Sequence, residues 1–320
     1  MKALTFSKFG TPDVLEYMDI PTPHIKKYEV LVKNEAIGLN YADIYRRKGD
    51  YFLSGQAPFV AGYEGAGIVV ESKSDQYKIG DKIAYTDVPF ANAEYIVVSE
   101  THAIPIPVNF NAELAASILL QGLTAHYLSN DSHRVNPGET VLIHSAAGGV
   151  GQILTQLCKA KGACVIGLTR KKDKIDIILN CKADYAFEMN EDWKSEIMKL
   201  TNGKGVDVVF DSVGSTLMDS FDVTKECGHV VFYGMSGGNP EPIDPRMLMD
   251  KSKTLTGGDL WSFLVNEQER KTRANELFRL INEGILVIRE PIKFKLSDGR
   301  KAHEYLESGK SSGKILLIPD

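Results

Sequence analysis

Residues 144–152 read HSAAGGVGQ and stand between an apolar run, TVLI (140–143), and a stretch with helical periodicity, ILTQLCKAKGA (153–163). Three glycines and the small residues Ser145, Ala146 and Ala147 clear side chains from the place where a strand hands over to a helix. Main chain bared in this way lets an anion reach the N–H groups of a helix start, where the helix macrodipole also favours negative charge. The segment AAGGVG (146–151) approximates the G-x-G-x-x-G turn that seats a pyrophosphate, with Ala146 in the first slot, then Gly148 and Gly151. A tight packing turn without a ligand is the alternative. The context weighs against it, because this turn constrains everything after it to one architecture.

That architecture is a parallel sheet covered by helices. From residue 138 onward strand-like and helix-like stretches alternate: ETVLIHS then GQILTQLCKAKG, CVIGLT then KDKIDIILNCK, ADYAFEM then EDWKSEIMKLT, VDVVFDS then STLMDSFDVTKE, and finally HVVFYG. Alternation of this kind builds βαβ units, so the fold class is α/β, a doubly wound sheet. Before it lies NAELAASILLQGLTAHYLSN (111–130), a predicted helix with Asn111 as its N-cap. Residues 1–105 differ: ALTF, VLEYMDI, EVLVKNEAIGLN, GAGIVVES, DKIAYT and AEYIVVS are short strands between turns, with one helical stretch, LNYADIYRRKG (39–49). Beyond the polar loop at 236–245, RANELFRLINEGIL (273–286) predicts an amphipathic helix stopped at Gly284, and IKFKL, GRKAHEYLESG and GKILLIP return to strand, helix and strand.

Bulk properties narrow the function. With 320 residues the chain has room for two domains, and 43% hydrophobic with 25% charged residues is ordinary globular composition. A net charge of −5 argues against a general nucleic-acid or membrane-surface binder, and no apolar run is long enough to span a bilayer. The amino terminus lacks the apolar core of a signal peptide. The four cysteines (158, 164, 181 and 227) form no CxxC pair, which predicts buried free thiols and a cytoplasmic protein.

The second strand of such a sheet decides which nicotinamide nucleotide is held. An NAD site places Asp or Glu at that strand's end. Here the end reads IGLTRKKDK (166–174), with Thr169 followed by Arg170, Lys171, Lys172 and Lys174. Cations suit a 2′-phosphate, so NADPH is the predicted cofactor. A solvated basic helix start, partly neutralised by Asp173, is the rival reading.

PDVLEY (12–17), EAIGLNYADIYRRKG (35–49), AGYEGAGIV (61–69), ILLQGLTAHYL (118–128), HSAAGGVGQ, VVFDSVGS (208–215), HVVFYGMSGG (229–238) and AHEYLESGKSSGKILLIP (302–319) together resemble the medium-chain dehydrogenase/reductase superfamily. Within it the chain resembles the zinc-free quinone oxidoreductase branch, related to ζ-crystallin. The resemblance implies a GroES-like β-rich catalytic domain from residues 1–121 and 264–320, an inserted Rossmann domain from 122–263 that binds NADPH, an active cleft between them and a homodimer. It implies reduction of a small-molecule quinone or α,β-unsaturated carbonyl, with neither nucleic acid nor membrane as partner. It assigns the cofactor to Thr124, Ala147, Gly148, Gly149, Val150, Gly151, Thr169, Arg170, Lys174, Val213, Gly214, Tyr233 and Gly234, with Thr124 on the nicotinamide carboxamide. The zinc-ligand positions of dehydrogenase relatives read Asn40 and Tyr63, so no metal is expected. Two positions depart from the branch: Met189 replaces a tyrosine of the 2′-phosphate pocket, and Gly309, beside Lys310, replaces an arginine.

Without a metal, negative charge developing on the substrate oxygen needs a proton or hydrogen bond. A phenol of ordinary pKa about 10 is a donor at neutral pH. Tyr45 and Tyr51 are the candidates, with Tyr51 on a loop past Gly49, and by resemblance Asn40 is the positioning amide. Packing at a domain edge is the plain alternative for either tyrosine. An enoyl-thioester reductase is the nearest rival function, for which Arg46, Arg47 and Lys48 would receive a phosphate unless they form a solvated helix face. A low-turnover, crystallin-like NADPH-binding protein is the rival outside catalysis. His126 and His144 are expected to be packed rather than catalytic.

Overall fold

The computed structural model describes residues 1–320. The chain divides into a terminal unit (Met1–Leu120, Leu264–Arg279 and Ile288–Asp320) and a central unit (Gln121–Phe263 and Leu280–Val287). The segment 280–287 groups with the central unit, not with the returning tail as the sequence suggested. Gln156 holds it there: its Nε2 donates to the Val287 carbonyl at 3.1 Å and its Oε1 accepts from the Val287 N–H at 2.7 Å.

The central unit is built on six strands: β1 (Thr140–Ile143), β2 (Cys164–Thr169), β3 (Tyr185–Glu188), β4 (Val206–Asp211), β5 (Thr224–Phe232) and β6 (Thr254–Gly257). Their order is β3-β2-β1-β4-β5-β6, and every pair is parallel. β1 and β4 are neighbours although two strands separate them in sequence, so the winding reverses there. In doubly wound sheets ligands bind outside the carboxyl ends of the strands at such a switch point. One core cluster joins Leu142, Ile166, Leu168, Val209 and Val230 to Trp193, Ile197 and Phe221. Fully burying side chains of this size contributes about 1.5–3 kcal/mol each.

The predicted helix STLMDSFDVTKE is shorter than expected, Leu217–Asp222, and TKE belongs to β5. The Val206 N–H donates to the Val223 carbonyl at 2.8 Å and Val206 pairs with Thr224, with a register shift before Val208. Strand pairing thus outweighs local helical preference. The helix expected over 111–130 runs Ala112–Tyr127 and loosens into a π-turn, Leu128–Ser132; Asn111 Oδ1 caps it, accepting from the Leu114 N–H at 2.8 Å.

The terminal unit has two sheets. Glu16–Asp19, Lys2–Phe6 and Phe59–Val60 form a small antiparallel one. The larger runs Ile292–Lys295, Ile315–Ile318, Glu29–Leu39, Glu64–Ser72, Lys82–Thr86 and Ile104–Pro105, with Tyr95–Ser99 also on Glu29–Leu39. The inward residues Leu4, Phe6, Val30, Val32, Ile37, Val69, Ile83, Ile96 and Leu317 make its core. The helix expected from 273 begins at Glu267 and ends at Asn282. Asn266 Oδ1 caps it by accepting the Glu269 N–H at 2.9 Å, and its polar first turns are tied by Glu267–Lys271 and Glu269–Arg273 ion pairs.

Candidate functional site

One candidate site is a main-chain cradle in the central unit. Ser145 turns the chain at φ 50°, its carbonyl accepts the Gly148 N–H at 2.8 Å, and a helix starts at Gly149. The first N–H groups of a helix have no acceptor within it. Those of Gly149, Val150 and Gly151 therefore stand at the carboxyl end of β1, where an anion would satisfy them. Close approach is enforced at Gly151: a Cβ there would lie 2.5 Å from the Ser145 carbonyl oxygen and 2.6 Å from the Ala146 Cα, both main chain. Ala147 is buried within the turn. This cradle fits a diphosphate.

The carboxyl ends of β4 and β5 lie beside it in the sheet. Asp211, fully buried, accepts the N–H groups of Val213 at 2.8 Å and Gly214 at 3.1 Å on one oxygen. Its other oxygen accepts the hydroxyls of Thr216 at 2.8 Å and Ser220 at 2.7 Å. Ser220 also meets His144 Nε2 at 3.0 Å. Burial holds the pKa of His144 below its ordinary value, so the ring is neutral, packed edge-on against Trp193. After β5, the Tyr233 N–H donates to the Asp211 carbonyl at 2.9 Å, and the Ser236 and Gly237 N–H groups donate to the Ser212 and Val213 carbonyls. The turns carrying Val213, Gly214, Tyr233 and Gly234 are thus knitted together. This Asp211–His144 support had no sequence signal beyond the D in VVFDSVG. Thr124 is buried on the Ala112–Tyr127 helix.

At the end of β2, Thr169 Oγ1 accepts the Lys171 N–H at 3.3 Å and closes the turn that presents Arg170 to Lys174. Burial lowers the Lys174 pKa, and the charges of Lys171 and Arg170 add to that against the pull of Asp173. Like charges are crowded here, and an incoming phosphate would relieve the crowding. Met189 packs on the central core, and its N–H donates to the Thr169 carbonyl at 2.8 Å. Gly309 lies in the terminal unit.

A separate group of candidate residues is in the terminal unit. Asn40 precedes the Tyr41–Lys48 helix, and its N–H donates to Asp43 Oδ2 at 2.9 Å. Its side chain also joins a buried ionic cluster. Asn40 Nδ2 donates to Glu64 Oε2 at 2.8 Å, and Asn40 Oδ1 accepts from Lys314 Nζ at 2.9 Å. Lys314 and Glu64 also pair directly, and Glu64 Oε1 accepts the Leu120 N–H at 2.6 Å. Burial pushes the Asp43 carboxyl up to about 6, against the pull of the Arg46 charge and the Asn40 N–H. Glu64 and Lys314 were not among the expected site residues; a glycine inside the apolar strand AIGL was the only hint.

Tyr45 is buried and Tyr51 exposed, with ring centroids 5.1 Å apart. Tyr63 lies under the Arg46 guanidinium at 3.5 Å. Arg46 and Arg47 form neither a solvated face nor a phosphate patch, because both are buried. Arg47 bonds the Gly10 carbonyl, His303 Nδ1 and Glu307 at 3.0, 3.1 and 2.7 Å, and Lys48 pairs with Glu307 at 2.8 Å. Of the three cations that a thioester phosphate would need, only Lys48 is exposed, and it is paired with Glu307. Of the cysteines only Cys158 and Cys181 are buried; Cys227 is exposed, contrary to expectation. No group of three or more His, Cys, Asp or Glu side chains is arranged to hold a metal, and no helix is long and apolar enough to cross a membrane.

Residues 26–137 match the family model for the alcohol dehydrogenase GroES-like domain, and residues 149–278 that for zinc-binding dehydrogenase. The chain therefore belongs to the medium-chain dehydrogenase/reductase superfamily. It is 35% identical to a quinone oxidoreductase of Pseudomonas aeruginosa over 99% of both chains, and 30% identical to a 2-haloacrylate reductase of a Burkholderia species over 99% of this chain and 98% of that one. The crystal structure of Escherichia coli quinone oxidoreductase complexed with NADPH superposes with a TM-score of 0.94 at 33% identity, covering 100% of each chain. Within the superfamily, the chain is a member of the zinc-free quinone oxidoreductase branch.

Proposed function

We propose that this protein is an NADPH-dependent reductase of small quinones or α,β-unsaturated carbonyls that works without a metal. The observation that carries this reading is the bare Ser145–Gly151 turn at the β1/β4 switch point, with four cations clustered after β2 and no carboxylate at the strand end itself. The related quinone oxidoreductases, one with NADPH bound, support it, and the haloacrylate reductase extends the acceptor class to activated alkenes.

When bound, the nicotinamide supplies a hydride from C4. The chain's own residues do the rest. The N–H groups of Gly149, Val150 and Gly151 bind the diphosphate, with Ala147 and Gly148 shaping the turn. Thr169, Arg170 and Lys174 receive the 2′-phosphate. Val213, Gly214, Tyr233 and Gly234 line the nucleotide at the strand ends, and the Thr124 hydroxyl holds the carboxamide. Tyr51 gives a proton or hydrogen bond to the substrate oxygen as charge develops on it, Tyr45 packs behind it, and Asn40 positions the acceptor. The protein works as a homodimer in the cytoplasm, and light scattering tests the assembly.

The test of function is NADPH oxidation at 340 nm against a quinone, a simple enone and an enoyl-CoA. Turnover with the first two is expected. Turnover with the thioester alone, or tight NADPH binding with no turnover on any acceptor, refutes the reading. Tyr51→Phe retaining full turnover on every acceptor removes Tyr51 as donor.

A further inference from the structure

Resting on that reading, we propose that Lys314 and Glu64 are positioning residues that lock the Asn40 carboxamide in one orientation, leaving it no N–H to offer a bound molecule. A carboxamide has two flips, told apart by the groups around it. Here both ends face a full charge: Lys314 Nζ is 2.9 Å from Oδ1, and Glu64 Oε2 is 2.8 Å from Nδ2. Turning the amide over would set its NH2 against an ammonium and its oxygen against a carboxylate, in a site where all three side chains are at most 4% exposed. Ammonium groups have no lone pair to accept with, and an ionised carboxylate has no proton to donate. Only the observed flip satisfies both partners.

The hydrogen-bond capacities give the functional consequence. One Nδ2 hydrogen goes to Glu64 and the other to the Gly38 carbonyl at 3.3 Å. Lys314 takes one lone pair of Oδ1. Both Nδ2 hydrogens are therefore used within the protein, so Asn40 cannot stabilise a substrate oxyanion as a donor. The donor role is then left to Tyr51. Sheet register explains how the cluster forms: Ile315 pairs with Leu39, and Gly65 with Ile37, which brings Lys314 and Glu64 to either side of residues 38–40. Gly38 leaves room for them, since a Cβ there would lie 2.1 Å from Glu64 Oε2 and 2.8 Å from Lys314 Nζ.

The test is the double variant Glu64→Gln/Lys314→Met, which removes both charges together and leaves no lone buried ion. Steady-state kinetics with NADPH and a quinone should show kcat reduced about 10- to 100-fold, the size expected when a positioning group drifts by about 1 Å. The Kd for NADPH, from nucleotide fluorescence, and the melting temperature should stay near those of the native protein. Native kcat in the folded double variant overturns the proposal, and so does a kcat loss that only tracks a loss of melting temperature. A neutron structure of the unaltered protein provides a second measurement that needs no variant: Asn40 with deuterons on the atom facing Lys314 refutes the lock. Failure of the functional reading looks different, because then the unaltered protein itself does not oxidise NADPH with quinones.

Discussion

Replacing Asp211 by alanine should cost the central unit about 4 kcal/mol, whereas asparagine at the same place should cost about 1. The carboxylate, fully buried, accepts two main-chain N–H groups, from Val213 and Gly214, and two hydroxyls, from Thr216 and Ser220. Alanine strands all four donors, though not equally. The Ser220 hydroxyl has His144 Nε2 at 3.0 Å as another partner, and the Thr216 hydroxyl can rotate. The two N–H groups are fixed by the turn, and a buried donor left unsatisfied costs about 1–3 kcal/mol. Two of them give roughly 4 kcal/mol, and at about 2–4 °C per kcal/mol the melting temperature should fall by roughly 8–16 °C. Asparagine keeps its Oδ1 for both N–H groups and offers an NH2 to hydroxyls that can turn to accept it. The assay is thermal unfolding by circular dichroism, with NADPH affinity read in parallel, because the displaced Val213–Gly214 turn is the proposed nucleotide contact. A fall below about 4 °C for alanine, or equal losses for both variants, would refute the reasoning.

Arg170→Ala/Lys174→Ala should weaken NADPH binding about 10- to 100-fold and leave NADH binding nearly unchanged, as two charge-assisted hydrogen bonds to a phosphate are removed; isothermal titration with both nucleotides checks this. Gly151→Ala drives a Cβ to 2.5 Å from the Ser145 carbonyl oxygen, so NADPH affinity should fall at least 100-fold and overpacking should cost about 1–3 kcal/mol in urea unfolding. His303 is buried beside the Arg47 charge, and burial first, then that charge, pulls its pKa down to about 3. The unfolded chain therefore takes up a proton that the folded chain refuses, and below an ordinary pKa of about 6.5 stability should fall by about 1.4 kcal/mol per pH unit on this account. His303→Gln should shrink the stability difference between pH 6.5 and pH 5 by about 2 kcal/mol, measured by urea unfolding at both.

What was legible in the sequence is what local stereochemistry controls. The glycine turn, the βα alternation after it and the absence of a carboxylate at the β2 strand end are all constraints that neighbouring residues impose on one another. Boundaries set by distant partners were not legible. TKE (224–226) reads as helix, but the Val206 N–H takes the Val223 carbonyl and draws the segment into β5. EQERKT (267–272) is polar on every side, so no apolar stripe marks it; its helix rests on the Asn266 cap and i,i+4 ion pairs. Arg46 and Arg47 look like a solvated basic run, yet tertiary partners from Gly10, Tyr63, His303 and Glu307 bury both.

The same distinction runs through the candidate site. Residues proposed to touch nucleotide or substrate sit in recognisable strings: AAGGVG, DSVGS, NYADIYRRKG. The groups that hold them do not. Glu64 is 24 residues from Asn40, Lys314 is 274, and Ser220 is 76 from His144. Each unit places a carboxylate, Glu64 in one and Asp211 in the other, where it is fully buried and fully engaged behind residues proposed to meet a ligand. A buried carboxylate is costly unless every acceptor site is used, so its partners are fixed more firmly than any surface pair would be. On the proposed mechanism, that rigidity stands in for a Lewis acid: donors and acceptors held in place before charge develops would need little reorganisation at the moment of transfer.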